Sequence, residues 1–285
     1  MEAPSTLQEA IVYFNIVENC NEFLIALRWA DGKVKCLNCG SDRVTYLAKA
    51  NVWKCYVKHT QQKFSLKVGT IMEDSPLPVS KWLAAMWLIV NGKNGISSCE
   101  IARDLGVTQK SAWHMAHRIR FALHYGSFEK LTGHVEVDET FIGGKARNMH
   151  MEKRKRRITG TGSKDKVAVM GILERGGKVR AIVVPNRKKS ALQSEVRKHV
   201  EAGSALYSDA LMSYKGLEGE YAHQVVDHAV EYVRDQVHTN GLENFWSLLK
   251  RGLSGTCVSV EPFHLFRYLD EQAYRYNNRK GHERV

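Results

Sequence analysis

The sequence predicts a multidomain chain in which helices, a small ribbon and a helical pair precede a larger mixed α/β domain. Three observations support this. A Cys-x2-Cys pair and a Cys-x3-His pair lie in the first quarter, and two short helical patterns meet at Gly106. The second half alternates segments of period two with segments of helical period, which is typical of α/β domains. The predicted domains are residues 1–30 (helical), 31–70 (ribbon), 79–125 (helical pair) and 133–285 (α/β).

The α/β domain is predicted to begin with a strand, residues 135–142, that carries an aspartate. Val135, Val137 and Phe141 alternate with polar residues, so the period is two. Aspartate is disfavoured inside strands, and Asp138 therefore has two interpretations: an edge-strand carboxylate facing water, or a ligand of a divalent cation. Because Mg²⁺ binds oxygen ligands, often one or two carboxylates, the second interpretation requires further acids downstream.

A second and a third acid follow at wide spacing. Asp209 ends the apolar approach 205–207, which predicts a strand ending on an acid. Glu243 lies at the start of a predicted helix in 238–252, with Asn240 as its predicted cap. Lys250 is seven residues later, about two turns on, and therefore on the same helix face as Glu243. Seventy residues separate Asp138 from Asp209, and 33 separate Asp209 from Glu243.

The order of elements predicts how these acids meet. After the first strand come a hairpin formed by 167–174 and 179–185, a helix at 191–201, the strand ending at Asp209, and a C-terminal helix. This is the order of a ribonuclease H-like domain. It places the first and fourth strands side by side, so that Asp138 and Asp209 meet at the centre of the sheet while Glu243 approaches from a helix. Tyr207 and Trp246 are assigned to the core.

These residues resemble the Asp-Asp-Glu-Lys signature of the retroviral-integrase-like transposases of bacterial insertion sequences. The blocks VDETFIGGK, YSDALMSY, HTNGLENFWSLLKRG and FRYLDEQAYRYNNR are similar to the group that carries an N-terminal zinc ribbon. The resemblance implies hydrolysis and strand transfer at the ends of an insertion sequence, with two Mg²⁺ or Mn²⁺ ions. It also implies double-stranded DNA as the partner, both element ends and target, and a homodimer or higher oligomer that synapses two ends.

The resemblance also implies roles for individual residues. Asp138 would be the ligand shared by the two ions and Asp209 and Glu243 the flanking ligands, while Lys250 contacts phosphate, and His238 and Asn240 orient the substrate. Asn240 and Glu243, three apart, both compete for the third catalytic position, and the spacing to Lys250 favours Glu243. Other acids also compete and rank lower: Glu136 on the face of Asp138, Glu139, and Asp227 after a predicted strand at 224–226.

The paired cysteines predict a structural zinc site. Cys36 and Cys39 are followed, after 15 intervening residues, by Cys55 and His59. Structural zinc takes four Cys or His ligands, and two turns separated by strands supply them. Similar ribbons commonly end Cys-x2-Cys, whereas Lys58 stands at the fourth cysteine position here, so two alternatives remain: zinc bound by all four residues, or a ribbon held only by its core. The strands are predicted at 44–46, 52–56 and 63–67.

The helical pair predicts a helix-turn-helix. A helix at 98–105 ends before Gly106, and a second helix begins after Thr108. The second helix of such a motif can enter the major groove; the alternative is a plain helical hairpin. The residues predicted to face bases are Gln109, Lys110, Ser111 and His114, and those predicted to approach phosphates are His117, Arg118 and Arg120.

A strongly basic segment follows the first strand of the α/β domain. Residues 145–166 hold nine Lys and Arg against two acids. Runs of like charge are usually solvated, but beside a metal site they can clamp a nucleic-acid backbone, and we expect disorder without DNA. The basic residues predicted to bind DNA are Lys145, Arg147, Lys153, Arg154, Lys155, Arg156 and Arg157.

Composition narrows the class of protein. Lys and Arg number 42 against 30 Asp and Glu, a net charge of +12 that favours a polyanionic partner. The longest apolar run, 82–90, is far shorter than the ~20 residues that span a bilayer, and the N-terminus lacks a signal-peptide pattern. We therefore expect a cytoplasmic, nucleoid-associated bacterial protein without a membrane partner. Six irregularly spaced cysteines argue against a disulfide scaffold.

Two alternative functions share parts of this pattern. A non-catalytic DNA-binding regulator derived from a transposase would use only the ribbon and the helical pair. A ribonuclease H-like repair nuclease or resolvase would share the metal site and not need the ribbon.

N-terminal residues 6–29 are predicted to form helices that break near Asn19.

Overall fold

The computed structural model describes residues 4–124, 129–144, 149–157, 166–209, 211–226 and 238–279. The chain forms two compact units, the first containing residues 1–89 and 98–122 and the second containing residues 90–97 and 123–284. The helices of the first half are α1 (Leu7–Phe14), α2 (Val17–Arg28), α3 (Val79–Asn91), α4 (Ser98–Leu105) and α5 (Gln109–Ala122).

The N-terminal helices break earlier than predicted. Thr6 caps α1 in a reciprocal box with Glu9, and the helix ends at Phe14, so the break lies at 15–16 and the predicted break near Asn19 is wrong. Asn19 lies inside α2 instead, where its side-chain amide donates to the Tyr13 carbonyl oxygen at 3.2 Å. The Tyr13 carbonyl, in the last turn of α1, accepts this bond in addition to the Ile16 N–H at 3.4 Å.

A three-stranded antiparallel sheet follows these helices. It has the order β1 (Val44–Leu47), β2 (Val52–Cys55), β3 (Lys63–Phe64). The predicted strands are present, although β3 has only two residues. Trp53, Phe64 and Leu66 are buried and form its small apolar interior.

The predicted pair of short helices is present as α4 and α5. Gly106 takes a positive φ of 58° between them, a conformation that glycine adopts without steric cost. The Thr108 hydroxyl accepts the Ser111 N–H at 3.2 Å and caps α5. Ile101, Met115 and Ile119 are buried.

The second unit is built on a five-stranded mixed sheet. Its strands are β4 (His134–Ile142), β5 (Val167–Glu174), β6 (Val179–Val184), β7 (Ala205–Asp209) and β8 (Ala222–Val226), in the order β6-β5-β4-β7-β8. The β4–β5 and β5–β6 pairs are antiparallel, and β4–β7 and β7–β8 are parallel. The predicted neighbourhood of the first and fourth strands is therefore confirmed.

Helices cover both faces of this sheet. They are α7 (Lys189–His199) on one face and α8 (Asn240–Arg251) and α9 (Leu265–Asn277) on the other; a further helix, α6 (Met151–Arg157), follows β4. Val135 and Val137 share a buried cluster with Leu192 of α7, whereas residues of α8 and α9 form the cluster on the other face. Because side chains alternate along a strand, Glu136 and Asp138 point toward α8.

Among the described residues, no single helix has the length and apolar character needed to cross a membrane. The helices α1 and α2 reach that length and apolar character only when they are counted together, and the chain bends by 100° between them.

Candidate functional site

Two of the predicted acids lie side by side. The parallel pairing of β4 with β7 matches Glu136 with Tyr207, and continuing that register by two residues brings Asp138 level with Asp209. Neighbouring residues in register share a face of the sheet, so both carboxylates lie on one side. The Leu211 N–H donates to Asp209 Oδ1 at 3.1 Å and fixes that side chain.

Trp246 holds the Asp138 carboxylate from the opposite layer. Its indole Nε1 donates to Asp138 Oδ2 at 2.9 Å, and the Glu139 N–H donates to Oδ1 at 2.8 Å. Gly171, paired with Asp138 across β4 and β5, makes room for the indole, since a Cβ there would lie 2.6 Å from Trp246 Cζ2. The sequence assigned Trp246 to the core; it is buried, and it also orients the aspartate.

Glu243 lies in the first turn of α8, three residues before Trp246. Its charge acts on Asp138, whose pKa it helps to raise. Lys250 is exposed in the last turn of the same helix. The described structure thus brings Asp138, Asp209 and Glu243 into one electrostatic cluster.

The predicted cap of α8 is wrong. Asn240 is the first residue of the helix, and Thr239 occupies the N-cap position without a side-chain cap hydrogen bond. The buried Glu136 carboxylate instead accepts the Leu242 N–H at 3.1 Å. A carboxylate supplied by the sheet satisfies the helix N-terminus, where negative charge is also favoured by the helix dipole.

The acidic cluster carries an electrostatic cost when no cation is bound. Burial raises the pKa of Asp138 to about 6, with smaller contributions from the Asp209 and Glu243 charges, against the lowering effect of the Trp246 hydrogen bond. Burial also raises the pKa of Glu139 to about 8, assisted by Asp209 and Asp138. A divalent cation would offset this repulsion, so the carboxylates present fit the hard, oxygen-liganded metal that the pattern predicts.

Four side chains of the first unit form the predicted soft-metal cluster. The ligand atoms of Cys36, Cys39, Cys55 and His59 all lie within 4.8 Å of one another. Cys39 Sγ is 3.6 Å from Cys55 Sγ, and Cys36 Sγ is 3.4 Å from His59 Nε2. Tetrahedral zinc with Zn–S bonds of about 2.3 Å separates two sulfurs by about 3.7 Å. The C-x3-H departure therefore still delivers a fourth donor.

The thiol chemistry of this cluster also suits a metal. Burial raises the pKa of Cys36, but the N–H groups of Asn38 and Cys39 and the neighbouring thiols outweigh this effect and hold it at about 7. Metals bind the thiolate, so a lowered pKa favours binding. His59 Nδ1 is buried without a hydrogen-bond partner. The other ring nitrogen, Nε2, faces the cluster and contacts Cys36 Sγ.

Comparison with known proteins decides the family. The model of the ISXO2-like transposase domain matches residues 130–277, which is more than half of the chain. The chain belongs to the ISXO2-like transposase family. It is 27% identical over 245 residues to an "uncharacterized protein in transposable element ISH50" of Halobacterium salinarum, covering 81% of each chain. It is 34% identical over 103 residues to an "uncharacterized transposase-like protein" of Haemophilus influenzae, covering 35% of this chain and 82% of that one. No solved structure gives a significant match.

The matched segment of this transposase contains the whole acidic cluster. The cysteine and histidine cluster lies outside it, N-terminal to residue 130. The resemblance to transposases of insertion sequences, stated from the sequence, is confirmed.

The metal-free transposase is expected to lose stability as the pH rises from about 4, where unfolded carboxyl groups titrate, to about 8, the raised pKa of Glu139. The raised pKa values of Asp138 and Glu139 mean that the folded chain still binds protons that unfolded carboxyl groups have released. Stability falls with pH wherever the folded state binds more protons than the unfolded state. Thermal unfolding in buffer without added divalent ions measures this slope, and Mg²⁺ at pH 8 is expected to restore stability.

The matched control is the double variant Asp138→Asn, Glu139→Gln, which keeps every other titrating group. Its unfolding temperature is expected to vary less between pH 4 and pH 8 than that of the wild-type protein. Equal slopes in the two proteins would show that these carboxyl groups do not carry the effect.

The residues of α5 that were predicted to contact DNA differ in how far their side chains are exposed. Gln109, Lys110 and His114 are exposed on α5, and Ser111 is partly buried. Arg118 is partly buried and donates to the Glu73 carbonyl oxygen at 2.8 Å. His117 and Arg120, predicted at phosphates, are only 3% and 2% exposed, so their side chains lie in the interior and are not part of the exposed basic surface of this transposase.

The basic segment after β4 is partly helical. Residues 151–157 form α6, so the expectation of disorder is wrong for this stretch, where Arg154, Lys155 and Arg156 are exposed. Lys153 and Arg157 belong to the same helix. Lys145 and Arg147 lie outside the described residues, as does Asp227 among the competing acids.

The competing acids take different positions. Glu139 points away from Asp138, and the Tyr214 hydroxyl donates to it. Glu136 shares the face of Asp138, as period two predicted, but is 1% exposed and bonded to Arg175 at 2.9 Å. His238 contacts this pair: its Nδ1 lies 3.2 Å from Arg175 Nη2. Arg175 lies between the two predicted strands of the hairpin, 167–174 and 179–185, and no local pattern in the sequence marked its contacts.

Proposed function

We propose that this transposase cleaves and joins DNA at the ends of an insertion sequence, with divalent metal ions held by Asp138, Asp209 and Glu243. One observation carries the proposal. Asp138 and Asp209 each lie two residues beyond the in-register pair Glu136 and Tyr207 of adjacent parallel strands, and the helix that bears Glu243 is bonded to Asp138 through Trp246. A ribonuclease H-like arrangement of the α/β domain agrees with this placement.

Each side chain has a distinct task in the proposed site. Bound Mg²⁺ or Mn²⁺ supplies Lewis acidity toward the oxygens of a phosphodiester. Asp138, fixed by two hydrogen bonds, would be the ligand shared by the ions, and Asp209 and Glu243 would be the flanking ligands. Lys250, exposed on the helix of Glu243, binds a DNA phosphate, and His238 and Asn240 orient the substrate.

Other parts of the chain bind the DNA and stabilise the fold. The exposed residues Gln109, Lys110 and His114 at the start of α5 read bases, as the second helix of a helix-turn-helix does. The exposed cations of α6 neutralise phosphates. Zn²⁺ in the Cys36–Cys39–Cys55–His59 cluster stabilises the ribbon, and a dimer or higher oligomer joins two element ends.

The function is tested by joining of DNA ends. The full-length protein selects its binding site from random duplexes in gel shifts, and a labelled duplex bearing that site is then incubated with supercoiled plasmid. Labelled plasmid is expected with Mg²⁺ or Mn²⁺ and not in their absence. Site-specific binding without any nicked or joined product in either metal would refute the proposed enzymatic activity. It would support the alternative function, a non-catalytic DNA-binding regulator.

A further inference from the structure

Arg175 occupies a position that no catalytic motif marks. It lies in the turn between β5 and β6, directly after Glu174. Its side chain is 19% exposed. It contacts two strands that carry an acid of the proposed metal site, β4 and β7, and His238, two residues before the helix that carries the third.

The first contact is with β4. Arg175 Nε donates to Glu136 Oε1 at 2.9 Å, and the Arg175 backbone N–H donates to the His134 carbonyl oxygen at 2.9 Å. Glu136 is almost wholly buried, and a buried carboxylate needs a compensating charge. Glu136 lies two residues before Asp138 on the same face.

The second contact is with β7. The guanidinium of Arg175 lies over the ring of Tyr207, 4.2 Å from its centroid. The Tyr207 hydroxyl is hydrogen-bonded to His134 Nδ1 at 2.7 Å, which ties β7 to β4 a second time. Tyr207 lies two residues before Asp209.

The third contact is with the chain that enters α8. Arg175 Nη2 donates to the His238 carbonyl oxygen at 2.7 Å and to its Nδ1 at 3.2 Å. Glu136, the partner of Arg175, accepts the Leu242 N–H with its other oxygen. Gly241 permits this approach, since a Cβ there would lie 2.8 Å from Glu136 Oε2. Glu243 follows in the same turn.

We propose that Arg175 is a positioning residue that sets the spacing of Asp138, Asp209 and Glu243 by contacting β4, β7 and His238, the residue two positions before α8. The inference rests on the proposed metal site. Guanidinium suits the task because its planar fork of five donors can serve a carboxylate, a carbonyl and a ring nitrogen while its face lies on an aromatic ring. A lysine ammonium is a single point charge and cannot contact the carboxylate, the carbonyl and the ring nitrogen at the same time.

The experiment measures the affinity of the full-length, zinc-loaded protein for Mn²⁺, by the electron paramagnetic resonance signal of the free ion. Arg175→Gln is expected to weaken Mn²⁺ binding by about 10- to 100-fold, the usual effect of removing a residue that orients metal ligands. Arg175→Lys, which keeps the charge beside Glu136, is expected to give an intermediate loss. Arg180→Gln is the matched control, since this arginine of β6 donates to His199 Nδ1 of α7 at 2.8 Å and to the Glu129 carbonyl oxygen.

Each outcome has a defined meaning. The proposal would be overturned if Arg175→Gln had a lowered unfolding temperature and a Mn²⁺ affinity equal to that of wild type. Arg175 would then contribute to stability alone. If that variant does not fold, Arg175→Lys decides, and wild-type affinity in it overturns the proposal. Asp138→Asn separates the two levels of inference: Mn²⁺ binding equal to wild type in this variant would refute the metal site itself, whatever Arg175 does.

Discussion

Asp138→Asn is expected to lower strand transfer by about 100- to 1000-fold, the order seen when a group that stabilises transition-state charge is removed. The substitution keeps the size of the side chain and removes its negative charge. It also leaves one hydrogen bond unmade, since the amide oxygen accepts either the Trp246 indole or the Glu139 N–H, and the amide nitrogen accepts neither. The measurement is the joined product formed from a labelled DNA end in Mg²⁺ and in Mn²⁺.

The same assay identifies the third carboxylate. Glu243→Gln is expected to lose activity to a similar extent, whereas Asn240→Ala, one turn earlier on α8, is expected to lose less, because Asn240 is proposed to orient the substrate and not to bind metal. Glu220→Gln is the control for removing an acid elsewhere, because Glu220 pairs with Arg197 on an exposed surface. Full activity in Asp138→Asn, or loss in Asn240→Ala with activity kept in Glu243→Gln, would contradict the assignment.

Cys55→Ser is expected to release the metal from the ribbon and to unfold it. Structural zinc contributes about 10–16 kcal/mol to the folding of small zinc domains, while the ribbon itself buries little apolar surface around Trp53 and Phe64. Wild-type protein is expected to carry one equivalent of zinc by elemental analysis, and the variant to carry almost none. Limited proteolysis is expected to cut the variant rapidly between β1 and β3.

Cys99→Ser provides the matched control, since Cys99 is an exposed cysteine at the start of α4 and lies outside the cluster. It is expected to keep the zinc content and protease resistance of wild type. A Cys55→Ser protein that retains one equivalent of zinc and resists proteolysis would show that the ribbon is held by its core, the alternative that the sequence left open.

Local patterns were sufficient for much of the fold. The alternation of Val135 and Val137 with polar residues located β4 and gave the face of Asp138 correctly. Gly106 located the turn between α4 and α5 because a helix commonly ends at a glycine. The cap of α8 was assigned wrongly to Asn240, since the group that satisfies this helix end is Glu136, more than a hundred residues away in the sequence.

The sequence by itself determined which chemistry the chain carries: three widely spaced acids, a set of three cysteines and a histidine, and the order of strands that brings Asp138 beside Asp209. Tertiary structure alone decided how those groups are held. Trp246 bonds to Asp138 across 108 positions and Arg175 to His238 across 63, and Arg120 is buried despite its charge. Periodicity reports only which face a residue occupies, whereas hydrogen bonds, burial and pKa depend on neighbours that the fold brings from distant parts of the chain.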